Sequence, residues 1–404
     1  MRMLIISAIT SLLALCVLHL LLPRLLRLRG SLLYVAAALA IHGGWWASRA
    51  ELLAGGAAVA ARLVATVWSV AALVIVAGGI PFLVARTLLR RVRRPTEDVD
   101  QARRRFLGGA AVPVLALTTG AGGTVASLRP FEVREEEVEI EGLPPALDGF
   151  RIGQITDVHV GDFIDADHVR RAVEAMNAAG CDLQVMTGDL IDDLTQLEAT
   201  FAALERCNAR HGMLAVIGNH EIWRGEQRVR EAYERSAARG GVRLLLDENT
   251  VLEHGGARLR VVGVDYPMIR GGSHRVAPEL REKLMRASAE KAFAGVGADG
   301  EEAILCLTHH PDFFRIAAEK GAHLTLAGHT HGGQVALLGV PIFRAAYEFM
   351  LGRYRLGRAH LYVSGGTGHW FPFRVGVPAE VTLLTLRASR PSSASRPRRA
   401  PATA

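Results

Sequence analysis

The chain has 404 residues, 50% of them hydrophobic and 22% charged, a length that allows two or three domains, and its mean hydropathy of +0.21 argues against an ordinary soluble chain. The formal charge of +7 is unevenly placed: residues 1–130 hold fifteen Arg against four acids, the tail 387–404 holds five Arg and no acid, and 131–386 is left at −9. The pI near 9.6 therefore makes no case for a nucleic-acid partner, and Cys16, Cys181, Cys207 and Cys306 lack the paired spacing of a disulfide framework or zinc ribbon.

Three apolar runs of about membrane-spanning length come first, at residues 3–22, 31–46 and 63–85, with no acid or base inside them. His19 and His42 lie toward the ends of their runs and are expected to pack or to sit at the interface. Trp45 and Trp46 read as an aromatic belt. Residues 1–86 thus form a region of three transmembrane helices, followed by a basic cytoplasmic loop at 87–105. A weaker fourth run at 106–128 is led by Arg103-Arg104-Arg105-Phe106-Leu107, which has the form of a twin-arginine export signal and adds the twin-arginine machinery as a partner. The Arg-rich loops around 24–29 and 86–105 belong in the cytoplasm by the positive-inside rule. Four spans then put everything after residue 128 outside, on a multi-pass protein of the inner cell membrane.

From Phe131 the composition becomes globular. Strands are predicted at 151–156, 183–187, 213–217, 259–264, 303–308, 324–327, 361–364 and 381–386, and helices at 166–179, 195–208 and 278–293. This order predicts, after the transmembrane helices, a domain over 131–386 built as a four-layer α/β/β/α sandwich. Residues 387–404 read as a disordered basic tail.

Chemistry-bearing residues collect where these strands end, the usual place for a site in α/β proteins. The first strand runs into Asp157-Val158-His159 and the second into Gly188-Asp189, with Asp192 close behind. The third ends at Gly218-Asn219-His220-Glu221, and later strands at His309-His310 and Gly328-His329-Thr330-His331-Gly332-Gly333-Gln334. Carboxylates, imidazoles and one amide oxygen without thiolate suit Mn, Fe or Zn. Seven candidate ligands exceed one tetrahedral site and match two divalent metal ions sharing a carboxylate. Asp192 and Glu221 are expected to orient ligands. Asp162, Asp165 and Asp167 lack the spacing of a calcium loop and read as a turn and helix cap. His168, His211, His254, His274, His323 and His360 match no motif, and Cys181 and Cys306 read as small buried hydrophobes.

Taken together, these motifs resemble the calcineurin-like metallophosphoesterases over about residues 131–386. The resemblance is closest to the membrane-attached, twin-arginine-exported bacterial branch with Gly-His-Thr-His-Gly-Gly-Gln, and the arrangement is also similar to an animal transmembrane protein with a metallophosphoesterase domain. It implies that Asp157, His159 and His331 bind one metal and Asn219, His309 and His329 the other, with Asp189 bridging. It implies His309 rather than His310 as the ligand, and gives His220 the catalytic role of acid or phosphate clamp. Relatives often carry Arg where Ser364-Gly365-Gly366-Thr367-Gly368 stands here.

The expected function is metal-dependent hydrolysis of phosphomono- or phosphodiesters. A binuclear amidohydrolase would need His-x-His on the first strand, and a non-catalytic phosphate-ligand receptor would be marked by loss of a ligand or of His220. A short connector from the membrane favours a lipid or lipid-linked substrate, and His369-Trp370-Phe371-Pro372-Phe373-Arg374 either offers a rim of aromatic groups and one cation suited to lipid headgroups or packs Trp370 and Phe373 between the late strands.

Overall fold

The structure, a computed structural model, describes residues 2–23, 25–92, 99–271, 276–297, 302–345 and 347–389. His274, Arg93, Arg94 and the tail from residue 390 lie outside the described residues. The chain divides into two compact units, one comprising Met1–Pro130 with Phe371–Pro378, the other Phe131–Trp370 with Ala379–Ala404.

The first unit contains four helices: α1 (Arg2–Leu21), α2 (Leu28–Arg49), α3 (Gly55–Val92) and α4 (Val99–Ser127). Spans within α1, α3 and α4 (Leu4–Leu21, Gly55–Ala85 and Ala110–Ser127) are long and apolar enough to cross a membrane. Helix α2 has the length, but His42, Gly43, Gly44 and the Trp pair dilute its apolarity. Much of the stretch read as a basic loop over 87–105 is helical, because Arg is a good helix former and carries α3 and α4 past their apolar runs. Small and branched residues pack the helices together, among them Ala14, Val17, Ala71, Ala72, Ile75 and Ala116. Polar side chains bridge them: Ser7 Oγ meets Ser69 Oγ at 2.6 Å and His42 Nε2 at 2.9 Å, and Trp68 donates to Ser11 Oγ at 2.9 Å.

The segment Phe371–Pro378 decides between the rim and the packed reading of this stretch. Phe373 and Arg374 are buried and form no rim, whereas Trp370 is 43% exposed. Phe373 lies over Gly123, where a Cβ would stand 2.2 Å from the ring. The Arg374 guanidinium turns back to donate to the carbonyls of Val377 and Pro378.

The second unit begins with β1 (Glu132–Ile140), β2 (Arg151–Ile155), α5 (Ala166–Ala178), β3 (Leu183–Thr187), α6 (Leu197–Leu204), β4 (Met213–Val216), α7 (Asn219–Ala238) and β5 (Arg243–Leu244). It continues with β6 (Glu248–His254), β7 (Ala257–Gly263), α8 (Pro278–Ala292), β8 (Glu302–Leu307), α9 (Phe314–Glu319) and β9 (Leu324–Ala327). A small hairpin of β10 (Ala336–Leu337) and β11 (Val340–Pro341) precedes β12 (Gly352–Leu356), β13 (Ala359–Val363) and β14 (Glu380–Ala388). One six-stranded sheet has the order β1-β14-β2-β3-β4-β5, the other β12-β13-β9-β8-β7-β6.

Side-chain alternation along the strands builds the layers. Leu183 and Val185 of β3, Leu384 and Leu386 of β14, and Ala303, Leu305 and Leu307 of β8 fill the space between the sheets. Met186, Val381 and Leu383 face outward onto α5, α6 and α7, and Ile304 and Cys306 face α8 and α9. The result is the four-layer α/β/β/α sandwich. Helix α5 starts where expected, with the Asp165 side chain accepting from the His168 amide at 3.1 Å. The helix expected at 195–208 is shorter, a turn of 3₁₀ helix leading into α6. Helix α7 was not anticipated: its first turn is the Asn219-His220-Glu221 motif itself.

Candidate metal centre

Strands β2, β3 and β4 run parallel in one sheet, as do β8 and β9 in the other. Their C-terminal ends deliver the candidate residues to one place. The Gln154 amide nitrogen ties the sheets together there, donating to Thr187 Oγ1 at 2.9 Å and to the Ala327 carbonyl at 3.2 Å.

The backbone turns sharply after β2, β3 and β9. Asp157, His159, Asp189, His329 and His331 all have positive φ, between 49° and 73°. Such a conformation costs a non-glycine residue about 1–3 kcal/mol and persists only where neighbours over-determine it. Here they do. Both Asp157 oxygens accept the His329 amide, at 3.0 and 2.9 Å, and Oδ2 also accepts from Thr156 Oγ1 at 2.7 Å. Glu221, fully buried, accepts from four backbone amides: Gly218 at 2.8 Å, Asp189 at 3.0 Å, Leu190 at 2.5 Å and Ile191 at 3.2 Å. Glycine is required at two close approaches: a Cβ on Gly218 would stand 2.1 Å from Asp189 Oδ1, and one on Gly328 would stand 2.1 Å from Asp157 Oδ2.

Three donor groups result: two made of candidate ligands, and a third of His159, Asp192 and His220. Asp157, His159 and His331 form one, with His159 Nε2 3.0 Å from His331 Nε2 and 3.3 Å between His331 Nε2 and Asp157 Oδ1. Asp189, His309 and His329 form the other, with His309 Nε2 3.1 Å from Asp189 Oδ2 and 3.2 Å from His329 Nδ1. Asp189 stands between them, since its Oδ2 is also 3.8 Å from His159 Nε2.

The hydrogen bonds assign the ring lone pairs. His159 Nδ1 donates to Asp192 Oδ2 at 3.2 Å and His309 Nδ1 to the Thr187 carbonyl at 2.8 Å, so both Nε2 atoms turn an unprotonated face inward when the rings are neutral. His329 Nε2 faces the hydroxyls of Tyr347 at 3.3 Å and Tyr266 at 3.5 Å, leaving Nδ1 for the cluster. Asn219 Oδ1 is buried without a hydrogen-bond partner. Inward-facing imidazole nitrogens, two buried carboxylates and an orphaned amide oxygen fit a divalent-cation site with nitrogen and oxygen ligands.

Electrostatics point the same way. Burial, with the charge of Asp189 adding to it, raises the Asp157 carboxyl above its ordinary range despite His309 and His159. Burial alone would also raise Asp189, but His309 and His220 outweigh it and hold this carboxylate well below the usual range. His329 is pushed down to about 3 by burial and by the His309 charge. A buried pair of carboxylates with mutual repulsion is costly unless positive charge stands beside it.

His220 belongs to neither of the two ligand clusters but joins His159 and Asp192 in the third group, with the His159 and His220 ring centroids 4.4 Å apart. Its Nε2 is 4.0 Å from Asp189 Oδ2, and its Nδ1 donates to Asp192 Oδ1 at 2.5 Å. Burial favours the neutral ring, but Asp189 and Asp192 outweigh it and raise the pKa. His310 turns away from Asp189: it stacks on His329 with centroids 5.0 Å apart, and its Nδ1 accepts from the Asp312 amide at 3.3 Å. His168, which matched no motif, donates from Nε2 to the Thr367 carbonyl at 2.8 Å.

Three contributors escaped the sequence reading. Tyr266 and Tyr347 back His329 across long chain separations, with no local pattern to announce them. The Gly366-Thr367-Gly368 turn braces the Asp157 loop, with the Thr367 amide donating to Thr156 O at 2.8 Å and the Gly368 amide to Asp157 O at 3.1 Å. Its unusual glycines were visible in the sequence, but its target was not.

Among known families, the one described as calcineurin-like phosphoesterase matches residues 150–333, the stretch from β2 through the last candidate ligand, His331. The metallophosphoesterase YkuE of Bacillus subtilis, described as uncharacterized, is 29% identical over 301 residues, covering 71% of this chain and 98% of that protein. The transmembrane protein with metallophosphoesterase domain of Bos taurus is 29% identical over 307 residues, covering 74% of this chain and 67% of that one. A solved dimetal phosphatase from Danio rerio aligns at 16% identity with a TM-score of 0.36, covering 54% of this chain and 88% of that one. The strand-end clusters and the family match agree: residues 150–333 are similar to the calcineurin-like metallophosphoesterases, with homologues that include a transmembrane protein carrying that domain.

Proposed function

We propose that this chain is a membrane-anchored hydrolase that cleaves phosphoesters at a binuclear metal centre on the extracytoplasmic side. The observation that carries the reading is Asp189 standing between two donor clusters, with Asn219 Oδ1, in the first turn of α7 after β4, buried and unsatisfied.

Asp157, His159 and His331 would hold one divalent cation, Asn219, His309 and His329 the other, and Asp189 both; Mn, Fe or Zn suits this donor set. When bound, the pair supplies positive charge to the phosphoester oxygens and lowers the pKa of an attacking water. The protein's own groups do the rest. Asp192 holds His159 and His220 in fixed orientations at once. His220, whose pKa Asp189 and Asp192 raise, would present Nε2–H to the scissile ester oxygen as acid or clamp.

The Arg-rich ends of α3 and α4 support a cytoplasmic connector, and Arg103-Arg104-Arg105, near the start of α4 and ahead of its apolar span, supports passage through the twin-arginine machinery. A crossing by α4 then leaves the sandwich outside the cytoplasm. A phosphoester close to the membrane, a lipid or lipid-linked headgroup, is the substrate class this tethering favours. The test is metal analysis of the purified full chain with a panel of phosphomonoesters, phosphodiesters and bilayer-presented phospholipids. About two metal equivalents with metal-dependent turnover supports the reading, whereas full metal loading without turnover of any phosphoester overturns it.

A further inference from the structure

Strand register shows where the chain enters the sandwich. Strand β1 runs parallel to β14, with Glu132 beside Glu380 and Arg134 beside Thr382, and β14 runs antiparallel to β2, with Thr382 beside Gln154. The start of β1 is therefore level with the end of β2, which delivers Asp157. Only residues 128–131 separate Ser127 of α4 from Glu132, a reach of at most ~18 Å. The metal-centre end of the domain is also its membrane-tethered end.

That end carries the apolar surface. Among the described residues of the domain, the exposed large apolar side chains include Val133 at the start of β1, Trp223 in the first turns of α7, Ile269 after β7 and Leu280 at the start of α8. Trp223 packs beside His220, with ring centroids 4.8 Å apart. The densest group is the β10–β11 hairpin, which leaves the site directly after Gln334. Leu338 is 96% exposed and Leu337 70%, and Val340, Ile342 and Phe343 are exposed beside them. Phe343 lies over Gly333, two residues past His331, where a Cβ would stand 3.1 Å from its ring.

The hairpin tip is anomalous for an aqueous turn. Leu337 pairs with Val340, and the two residues between them, Leu338 and Gly339, have φ of 50° and 78°. Such turns favour Asn or Asp before Gly, residues that tolerate the left-handed region and are solvated. Leucine tolerates it poorly and at this tip packs on nothing, so neither turn chemistry nor core packing accounts for it. Contiguous apolar exposure of this kind marks an interaction surface. Three helices able to cross a membrane lie upstream and the tether is four residues long, which commits the occupant to a lipid bilayer.

We propose that the β10–β11 hairpin inserts Leu337, Leu338 and Val340 into the interfacial region of the membrane, holding the mouth of the metal centre at headgroup level. The insertion rests on the membrane anchoring proposed above but not on catalysis. The test uses the full chain in phosphatidylethanolamine/phosphatidylglycerol nanodiscs, with Cys16→Ala and Cys207→Ser removing the accessible thiols. An environment-sensitive fluorophore is placed on Leu338→Cys or, as control, on Glu253→Cys at the far end of β6. Lipids spin-labelled high on the acyl chain should quench the label at 338 at least ~3-fold more than the label at 253, the depth expected of an interfacial segment. Equal quenching at both positions overturns the insertion. A shielded 338 label insensitive to spin-labelled lipid, whose emission follows protein concentration, assigns the hairpin to contact between copies and also overturns it. Failure of the chain to enter nanodiscs removes the anchoring and the insertion with it. Turnover of a soluble phosphodiester with Mn²⁺, measured on the same samples, reports the catalytic reading separately.

Discussion

Asp192 bridges two histidines of different character: its Oδ1 accepts from His220 Nδ1 at 2.5 Å while its Oδ2 accepts from His159 Nδ1 at 3.2 Å. One carboxylate thereby sets the tautomer of a candidate metal ligand and the protonation of a candidate acid. The His159 and His220 hydrogen bonds and charges overcome the effect of burial and hold Asp192 far below the ordinary carboxylate range. Asp192→Asn keeps the shape and removes the charge. It should lower kcat about 10–100-fold, as loss of a group supporting a ligand does. Because Asp192 raises the His220 pKa, the basic limb of the pH profile should also move to lower pH. An unshifted limb with unchanged kcat would show that Asp192 serves neither histidine.

His220 can be removed without emptying either cluster. His220→Gln should retain near-normal metal content while kcat falls on the order of 10²–10⁴-fold, the range for loss of a general acid. Metal analysis alongside single-turnover rates separates the two roles, and loss of metal at an unchanged rate per loaded site would reverse the assignment.

Asp189 is the group that both clusters share. Asp189→Asn replaces the bridging anion with a neutral amide and should cost most of the bound metal and at least ~10²-fold in activity. The variant also exposes an error in the pairing: if it loses only one metal equivalent, the carboxylate belongs to one cluster alone.

Topology gives a check independent of chemistry. A reporter fused after residue 386 should read as extracytoplasmic and one at about residue 98 as cytoplasmic, whether or not α2 crosses, because both placements depend on α4 alone. The loop at about residue 26 decides α2: cytoplasmic if α2 spans, extracytoplasmic if it lies at the surface. A cytoplasmic reporter after 386 would overturn the orientation.

The candidate donors were legible in the sequence because each lies directly after an apolar strand, and a strand end is a local event. Asp157, His159, Asp189, Asn219, His309, His329 and His331 could be picked out from strand, glycine and polar residue in succession. The layer order followed equally from the succession of strands and helices along the chain. Local patterns also marked the apolar N-terminal helices, although the Arg-rich ends of α3 and α4 proved helical because backbone propensity continues where hydrophobicity stops.

Tertiary structure alone decided what depends on distant pairings. His309 and His310 are adjacent in sequence, and only packing turns one toward Asp189 and stacks the other on His329. Tyr266, Tyr347 and Thr367 reach the site from segments whose sequence carries no periodicity for it. The burial of Phe373 and Arg374, which decides between an exposed rim and packing, came from partners such as Gly123 far along the chain. The same holds for the level at which β1 enters the sheet. Sequence determines which side chains a strand end can present, since that is covalent and local; which of them meet is set by sheet register and by the packing of the two sheets, which couple residues hundreds of positions apart.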